Sequence, residues 1–185
     1  MGAWEGGMKI LEATAGGRSY WHDKEHPETV FMDMRVEHDA GFTFEGYDIE
    51  NCDSSRPGNY RILPDLQADY RNLPFPDGTF DLVVFDPPHL TTNNGMKKLS
   101  GIMQRKYGTL QAETWPRDLK LAFDELFRVM CDHATLNFKF NDYSIGFEQI
   151  LNVIPQQPLY GTTIKSSKHE TRWLAFNKPM EMRSE

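Results

Sequence analysis

Cysteine is almost missing from this chain. Cys52 and Cys131 are its only two, far apart and outside any CxxC spacing, which excludes a disulfide framework and a structural zinc ribbon. The sequence places Cys131 at the end of a helix as a small buried apolar residue. No apolar run approaches the roughly 20 residues that a membrane-spanning helix needs. The opening residues, Met1-Gly2-Ala3-Trp4-Glu5-Gly6-Gly7, lack a basic stretch ahead of an apolar one, so the expected location is cytoplasmic. Gly6, where a Ser or Thr belongs, also argues against a myristoylation start. Basic charge is short as well: 20 Lys and Arg stand against 27 Asp and Glu, a net charge of −7. A general polyanion binder needs the opposite balance, because it gains affinity by neutralising phosphates.

What is present suits one soluble α/β domain over residues 1–185. The charge is uneven. Glu25 to Asp53 is acid-rich, whereas Thr91 to Leu110 carries Lys97, Lys98, Arg105 and Lys106 and no acid. Such a run is either a solvated loop or a phosphate-holding one, and its position has to decide.

Strand and helix patterns alternate along the chain. Lys9 to Ala13 reads as a strand ending in a glycine turn, followed by a short helix over Arg18 to Lys24 that stops before Pro27. Thr29 to Asp33 is a β-branched and aromatic second strand. Residues 37–60 lack a period and read as a loop or insertion. Tyr60 to Gln67 reads as a third strand, interrupted or ended near Pro64. Phe80 to Phe85, after the Pro76-Asp77-Gly78 turn, is apolar except for Asp81 and fits a strand buried on both faces. Thr114 caps a helix whose first turn accepts Pro116, with an apolar stripe at Leu119, Ala122, Phe123, Leu126, Phe127 and Met130. Ala134 to Phe140 alternates apolar and polar as a fifth strand, and Ser144 to Ile154 is a further helix. Leu159 to Ile164 and Thr171 to Asn177 form a closing antiparallel hairpin. The whole is a mostly parallel sheet with right-handed crossovers and an antiparallel C-terminal edge.

Three segments fall at the C-terminal ends of strands, where open α/β sheets bind ligands. The first is the loop Glu12-Ala13-Thr14-Ala15-Gly16-Gly17, whose glycines let the backbone approach a ligand. The second is Asp33, at a spacing that suits an acid bonding to ribose hydroxyls. The third is Asp86-Pro87-Pro88-His89. Two prolines directly after a buried strand remove N–H donors and fix φ twice, giving a rigid corner. The Asp86 carboxylate and the Pro87 carbonyl are expected to face the cleft as two acceptors. A planar exocyclic amine bound through both hydrogens there would aim its lone pair at an electrophilic methyl.

This set resembles the class I S-adenosylmethionine-dependent methyltransferases, in particular members with an Asn/Asp-Pro-Pro-aromatic motif that methylate amino nitrogens. The resemblance spans nearly the whole chain, in unpermuted order, and is greatest to small phage- or prophage-associated methyltransferases. It implies a Rossmann-like fold and S-adenosyl-L-methionine as cofactor. It carries cofactor contacts to Glu12 through Gly17, to Asp33 at the ribose, to Asp69 and Tyr70 near the adenine, and to Asp86. Two features depart from the family pattern: the glycine signature is thinned to Gly16-Gly17-Arg18, and His89 stands where Tyr, Phe or Trp is usual. An aromatic there would stack on a flipped base. His89 can stack or hydrogen-bond, and its role as a general base ranks below positioning. Because the basic segment follows this corner directly, Lys97, Lys98, Arg105 and Lys106 are expected to hold phosphates while Tyr107 packs on a base. Lys165, Lys168, His169 and Arg172 more simply solvate the hairpin turn. His22 and His26, four apart, invite a metal reading, but the chemistry needs no metal.

The expected activity is methylation of an exocyclic amino group in nucleic acid, adenine N6 in DNA foremost, with RNA amino groups and cytosine N4 also open. With no room for a separate target-recognition domain, a protein partner for targeting is a further expectation. Two alternatives stand beside it: a non-catalytic cofactor-binding subunit, and a methyltransferase for a protein amide or a small molecule. A nicotinamide oxidoreductase ranks last because the full GxGxxG is missing.

Overall fold

The segment with the most continuous apolar character, Phe80–Phe85, becomes the centre of the sheet. A computed structural model describes residues 7–38 and 60–180. Its elements are β1 (Ile10–Glu12), β2 (Thr29–Asp33), β3 (Leu66–Gln67), β4 (Phe80–Phe85), β5 (Thr91–Thr92), α1 (Ile102–Tyr107), β6 (Leu110–Gln111), α2 (Trp115–Val129), β7 (Met130–Asn141), α3 (Phe147–Val153), β8 (Tyr160–Lys165) and β9 (Glu170–Asn177), with a 3₁₀ turn at Gly95–Lys97. The main sheet has the order β3-β2-β1-β4-β7-β9-β8. Its first five strands are parallel, and β9 runs antiparallel to both β7 and β8. This is the mostly parallel α/β architecture with an antiparallel C-terminal hairpin that the alternation of patterns implied. The strand order reverses between β1 and β4, so the crevice of a doubly wound sheet opens at their C-terminal ends.

The helix α2 lays Leu119, Ala122, Phe123 and Leu126 into the core. There Phe123 meets the rings of Phe85, Phe138 and Phe176 edge-on at 6.1, 5.2 and 5.4 Å. Each such side chain contributes about 1.5–3 kcal/mol by leaving water. Along β7 the even positions from Ala134 to Phe140 are buried and the odd ones only half-buried, so one face packs on the helices and the other carries polar side chains.

Four local expectations need correction. Arg18 to Lys24 forms turns instead of a helix. Arg18 takes φ 53°, and its guanidinium collects the Lys24 carbonyl, the Leu63 carbonyl and the Asp65 carboxylate, which ties the segment down as a loop. The third strand is only Leu66–Gln67. Pro64 lacks an N–H, and Phe31 N–H donates to the Asp65 side chain (3.0 Å) where a ladder bond would lie; Ile62 pairs singly with Glu37. The fifth strand begins earlier, because α2 passes at Met130 straight into extended backbone. Cys131 is therefore a half-buried strand residue whose Sγ donates to the Gly78 carbonyl. A bulge there, with His133 at φ 64°, hides the early start from the alternating pattern. The helix α3 starts only after Gly146, whose N–H donates to Gln149 Oε1. Most of the insertion expected at 37–60, and Cys52 with it, lies outside the described residues. Among the described residues no helix is long and apolar enough to cross a membrane.

Candidate active site

A hollow at the switch point is lined by residues Ala13 to Gly17, Ser19, Tyr20, Asp33, Tyr70, Asp86, Pro88, Lys106 and Tyr107, among others. The three strand-end segments singled out in the sequence thus meet at one place. Gly16 takes φ 51°, a left-handed conformation that glycine adopts freely. At Gly17 a Cβ would stand 2.9 Å from the Tyr60 ring, so a side chain there has no room. The two glycine N–H groups donate inward: Gly16 to Asp33 Oδ2 (2.9 Å) and Gly17 to the Tyr60 hydroxyl (3.0 Å). The other Asp33 oxygen accepts from Arg35 N (2.9 Å) and Nε (3.3 Å). Arg35 then donates to the Arg105 carbonyl (2.9 Å) and the Lys106 carbonyl (3.4 Å) at the end of α1. The free volume enclosed is about 50 Å³, far below the roughly 300–1,000 Å³ of small-molecule pockets. Met96, Lys106 and Tyr107 form part of its wall.

Glu12 is buried completely and takes no place in the lining. Its Oε2 accepts from Tyr20 Oη (2.6 Å) and Trp21 Nε1 (3.0 Å), and its Oε1 from Thr14 N (3.3 Å) and Oγ1 (3.4 Å). Burial pushes its carboxyl up to about 7 against those hydrogen bonds, with nearby Asp86 adding to the rise. The Thr14 hydroxyl oxygen in turn accepts from Asp86 N–H (2.8 Å). The first strand's acid is therefore bonded, through one hydroxyl, to the backbone of the proline corner.

Asp86 lines the hollow, and its Oδ2 accepts from Lys139 Nζ at 2.6 Å. Burial raises its carboxyl above the ordinary range and Lys139 pulls it back. Pro88 lines the hollow, whereas Pro87 is buried and is not among the lining residues. His89 packs 5.6 Å from the Tyr107 ring. Burial, with Lys139 nearby, pushes its imidazole down to about 4, so it is neutral near pH 7 and a weak base there.

The remaining candidates divide. Tyr70 joins the lining beside Phe85 (5.2 Å), while the Asp69 carboxylate is held by Arg71 at 2.6 Å outside it. Of the basic segment, Lys106 and Tyr107 reach the hollow, Arg105 is half-buried behind it, and Lys97 and Lys98 are exposed. In the hairpin, Lys165 and Arg172 pair with Glu170, and His169 lies against Tyr143. His26 bonds to the Thr29 hydroxyl (3.1 Å), and among the described residues no three His, Cys, Asp or Glu gather as metal ligands.

Lys139, Tyr20, Arg35 and Tyr60 escaped the sequence reading. Only Lys139 had a signal, as a lysine near the C-terminal end of the alternating fifth strand. The other three depend on loop paths.

No protein-family model and no curated protein matches the chain. Solved structures do. TrmN from Thermus thermophilus is 15% identical, with 93% of this chain and 44% of that one covered and a TM-score of 0.53; this chain thus spans under half of TrmN. The [4+2]-cyclase SpnF is 12% identical over 95% and 76% of the two chains, with a TM-score of 0.51. The N-methyltransferase NodS from Bradyrhizobium japonicum WM9, in complex with S-adenosyl-L-homocysteine, is 11% identical over 94% and 79%, with a TM-score of 0.49. The chain shares the Rossmann-like α/β fold of these structures. A cyclase among the neighbours shows that this fold is not bound to one reaction, so function must be argued from the site.

Proposed function

We propose that the chain is one S-adenosylmethionine-dependent N-methyltransferase domain acting on an exocyclic amino group in nucleic acid, adenine N6 in DNA foremost. The observation that carries this reading is Asp86 on a proline-fixed corner, lining the hollow together with the Gly16-Gly17 turn and Asp33. The donor set fits the cofactor in kind. Asp33 suits a ribose diol, the left-handed turn at Gly16 brings backbone to the hollow, and Tyr70 offers an apolar ring beside them. Arg35 already holds Asp33 and the end of α1, whose Lys106 and Tyr107 line the narrow hollow, so admission requires that wall to move.

S-adenosylmethionine supplies a methyl group on a positively charged sulfur. The chain's part is orientation and charge. Asp86 accepts a hydrogen bond from the target –NH₂ and so directs the nitrogen lone pair. It also receives the surplus proton once the N–C bond has formed and the S–C bond has broken with its electron pair on sulfur. Neutral His89 and Tyr107 flank the corner as surfaces against which a base can lie.

Calorimetric titration with S-adenosylhomocysteine, followed by methyl-transfer assays on single-stranded DNA, duplex DNA and RNA, tests the reading. Asp86→Ala should lower transfer at least about 100-fold while the variant still binds S-adenosylhomocysteine. Retained transfer in that variant removes Asp86 from the reaction, and absence of binding removes the cofactor. Binding without turnover on any nucleic acid, protein extract or metabolite pool favours the subunit reading, which the inward-turned glycine N–H groups also suit.

A further inference from the structure

Asp86 shares its charge with a residue 53 positions away. Phe85 of β4 pairs with Phe138 of β7, so the next residues on the two strands, Asp86 and Lys139, come level at the mouth of the crevice. Their ion pair is 2.6 Å long, with the side chains only 16% and 27% exposed. The lysine ammonium lies 5.2 Å from the centre of the Tyr20 ring and 5.7 Å from that of Trp173, and those rings meet edge-to-face at 5.6 Å. Two aromatic walls thus replace water on one side of the ammonium and leave its strong bond to the carboxylate. The second buried acid nearby, Glu12, is already occupied by Tyr20, Trp21 and Thr14.

We infer that Lys139 is a positioning residue of the transfer site: by holding Oδ2 it keeps Asp86 ionised and fixed, so that Oδ1 remains as the acceptor offered to the target amine. The inference rests on the amino-methyl-transfer reading of this site. Its logic is electrostatic. A carboxyl buried without a countercharge takes up a proton, and a protonated carboxyl presents a donor where an –NH₂ group needs an acceptor. The titratable and charged groups that act on Asp86 are Glu12 from β1, Tyr20 from the following loop and Lys139 from β7, and Lys139 also acts on His89 of the same corner. Glu12 adds negative charge as it ionises, and Lys139 supplies the compensating cation. An amide carbonyl at position 86 would need no such cation, so the demand for Lys139 belongs to the aspartate.

Two readouts test this. In protein labelled with ¹³C-aspartate, the Asp86 carboxyl titration in Lys139→Met should move up by about one pH unit or more, whereas Lys139→Arg should leave it near the wild-type midpoint. Lys139→Gln serves the same titration if the methionine variant does not fold. On an adenine-containing single-stranded oligodeoxynucleotide, Lys139→Met should transfer methyl more slowly at pH 7, by about tenfold for each unit that its Asp86 midpoint lies above that pH. It should recover as pH rises, with the acid limb displaced in step with the carboxyl midpoint. The double variant Asp86→Asn with Lys139→Met should be at least about tenfold faster than Asp86→Asn alone, because it no longer buries an unpaired ammonium. An unchanged carboxyl midpoint, a rate loss equal at every pH, or a double variant no better than Asp86→Asn would each overturn the inference. If the wild-type protein methylates no oligonucleotide, the nucleic-acid reading fails, and the carboxyl titration still decides whether Lys139 sets the state of Asp86.

Discussion

Glu12 shows how one buried side chain can set a pH dependence. Its carboxyl has no contact with solvent and is pushed by burial up to about 7. The folded chain therefore holds this proton more tightly than the unfolded chain does, and between the two values the folded state binds more protons. Stability from this group is complete below the ordinary carboxyl value and is lost as pH rises towards 7. The shift corresponds to a loss on the order of 3 kcal/mol across that window. Glu12→Gln should abolish this component, so the difference in unfolding free energy between wild type and variant, measured in urea from pH 4.5 to 8, should slope with pH. A difference that stays flat would mean that Glu12 does not carry the proton. Glycine 17 illustrates the opposite case, a residue whose requirement is steric, because Tyr60 fills the place of any Cβ.

At the scale of elements, α2 is the best-specified piece of the chain. Its apolar positions recur at helical spacing, and the face they form is the face that packs. Phe123 is fully buried among Phe85, Phe138 and Phe176, so Phe123→Ala should cost about 3–5 kcal/mol of unfolding free energy. A loss below about 1 kcal/mol in denaturant titrations would show that this ring cluster does not form the core. The strand β4 was equally legible, since a short apolar run between a turn and two prolines admits few other structures. The segment Arg18 to Lys24 was not. Its local pattern allows a helix, but one arginine side chain satisfies carbonyls across the loop, and Glu12 draws down Tyr20 and Trp21. The short third strand has a related cause, because the Asp65 side chain replaces a ladder partner.

Taken whole, the molecule brings its chemistry to the point where strand order reverses, and then covers it. Arg35 joins Asp33 to the end of α1, so a ligand that takes Asp33 must disturb the clasp on that helix. S-adenosylhomocysteine at 100 times its dissociation constant should stabilise the protein by about 2.7 kcal/mol. It should also change the rate of trypsin cleavage after Arg105 and Lys106. Thermal stability indifferent to the ligand would mean that it does not bind, and a stabilised protein with unchanged cleavage would place the cofactor elsewhere. The net charge of −7 adds a further condition, since any nucleic-acid contact has to be local to the basic edge at Lys106 and strongly dependent on salt.

The sequence by itself determined the α/β class, the central strand, the long amphipathic helix and the proline corner. Each of these is written in neighbouring residues, as a period, a turn or a backbone restriction. Only the tertiary structure decided which charges meet. Lys139 reaches Asp86 through strand register, Arg35 reaches α1 across the crevice, and Tyr60 reaches Gly17 from 43 positions away. Such pairings link residues tens of positions apart, and no local pattern encodes them, because they follow from how the strands stack and where the loops are pinned.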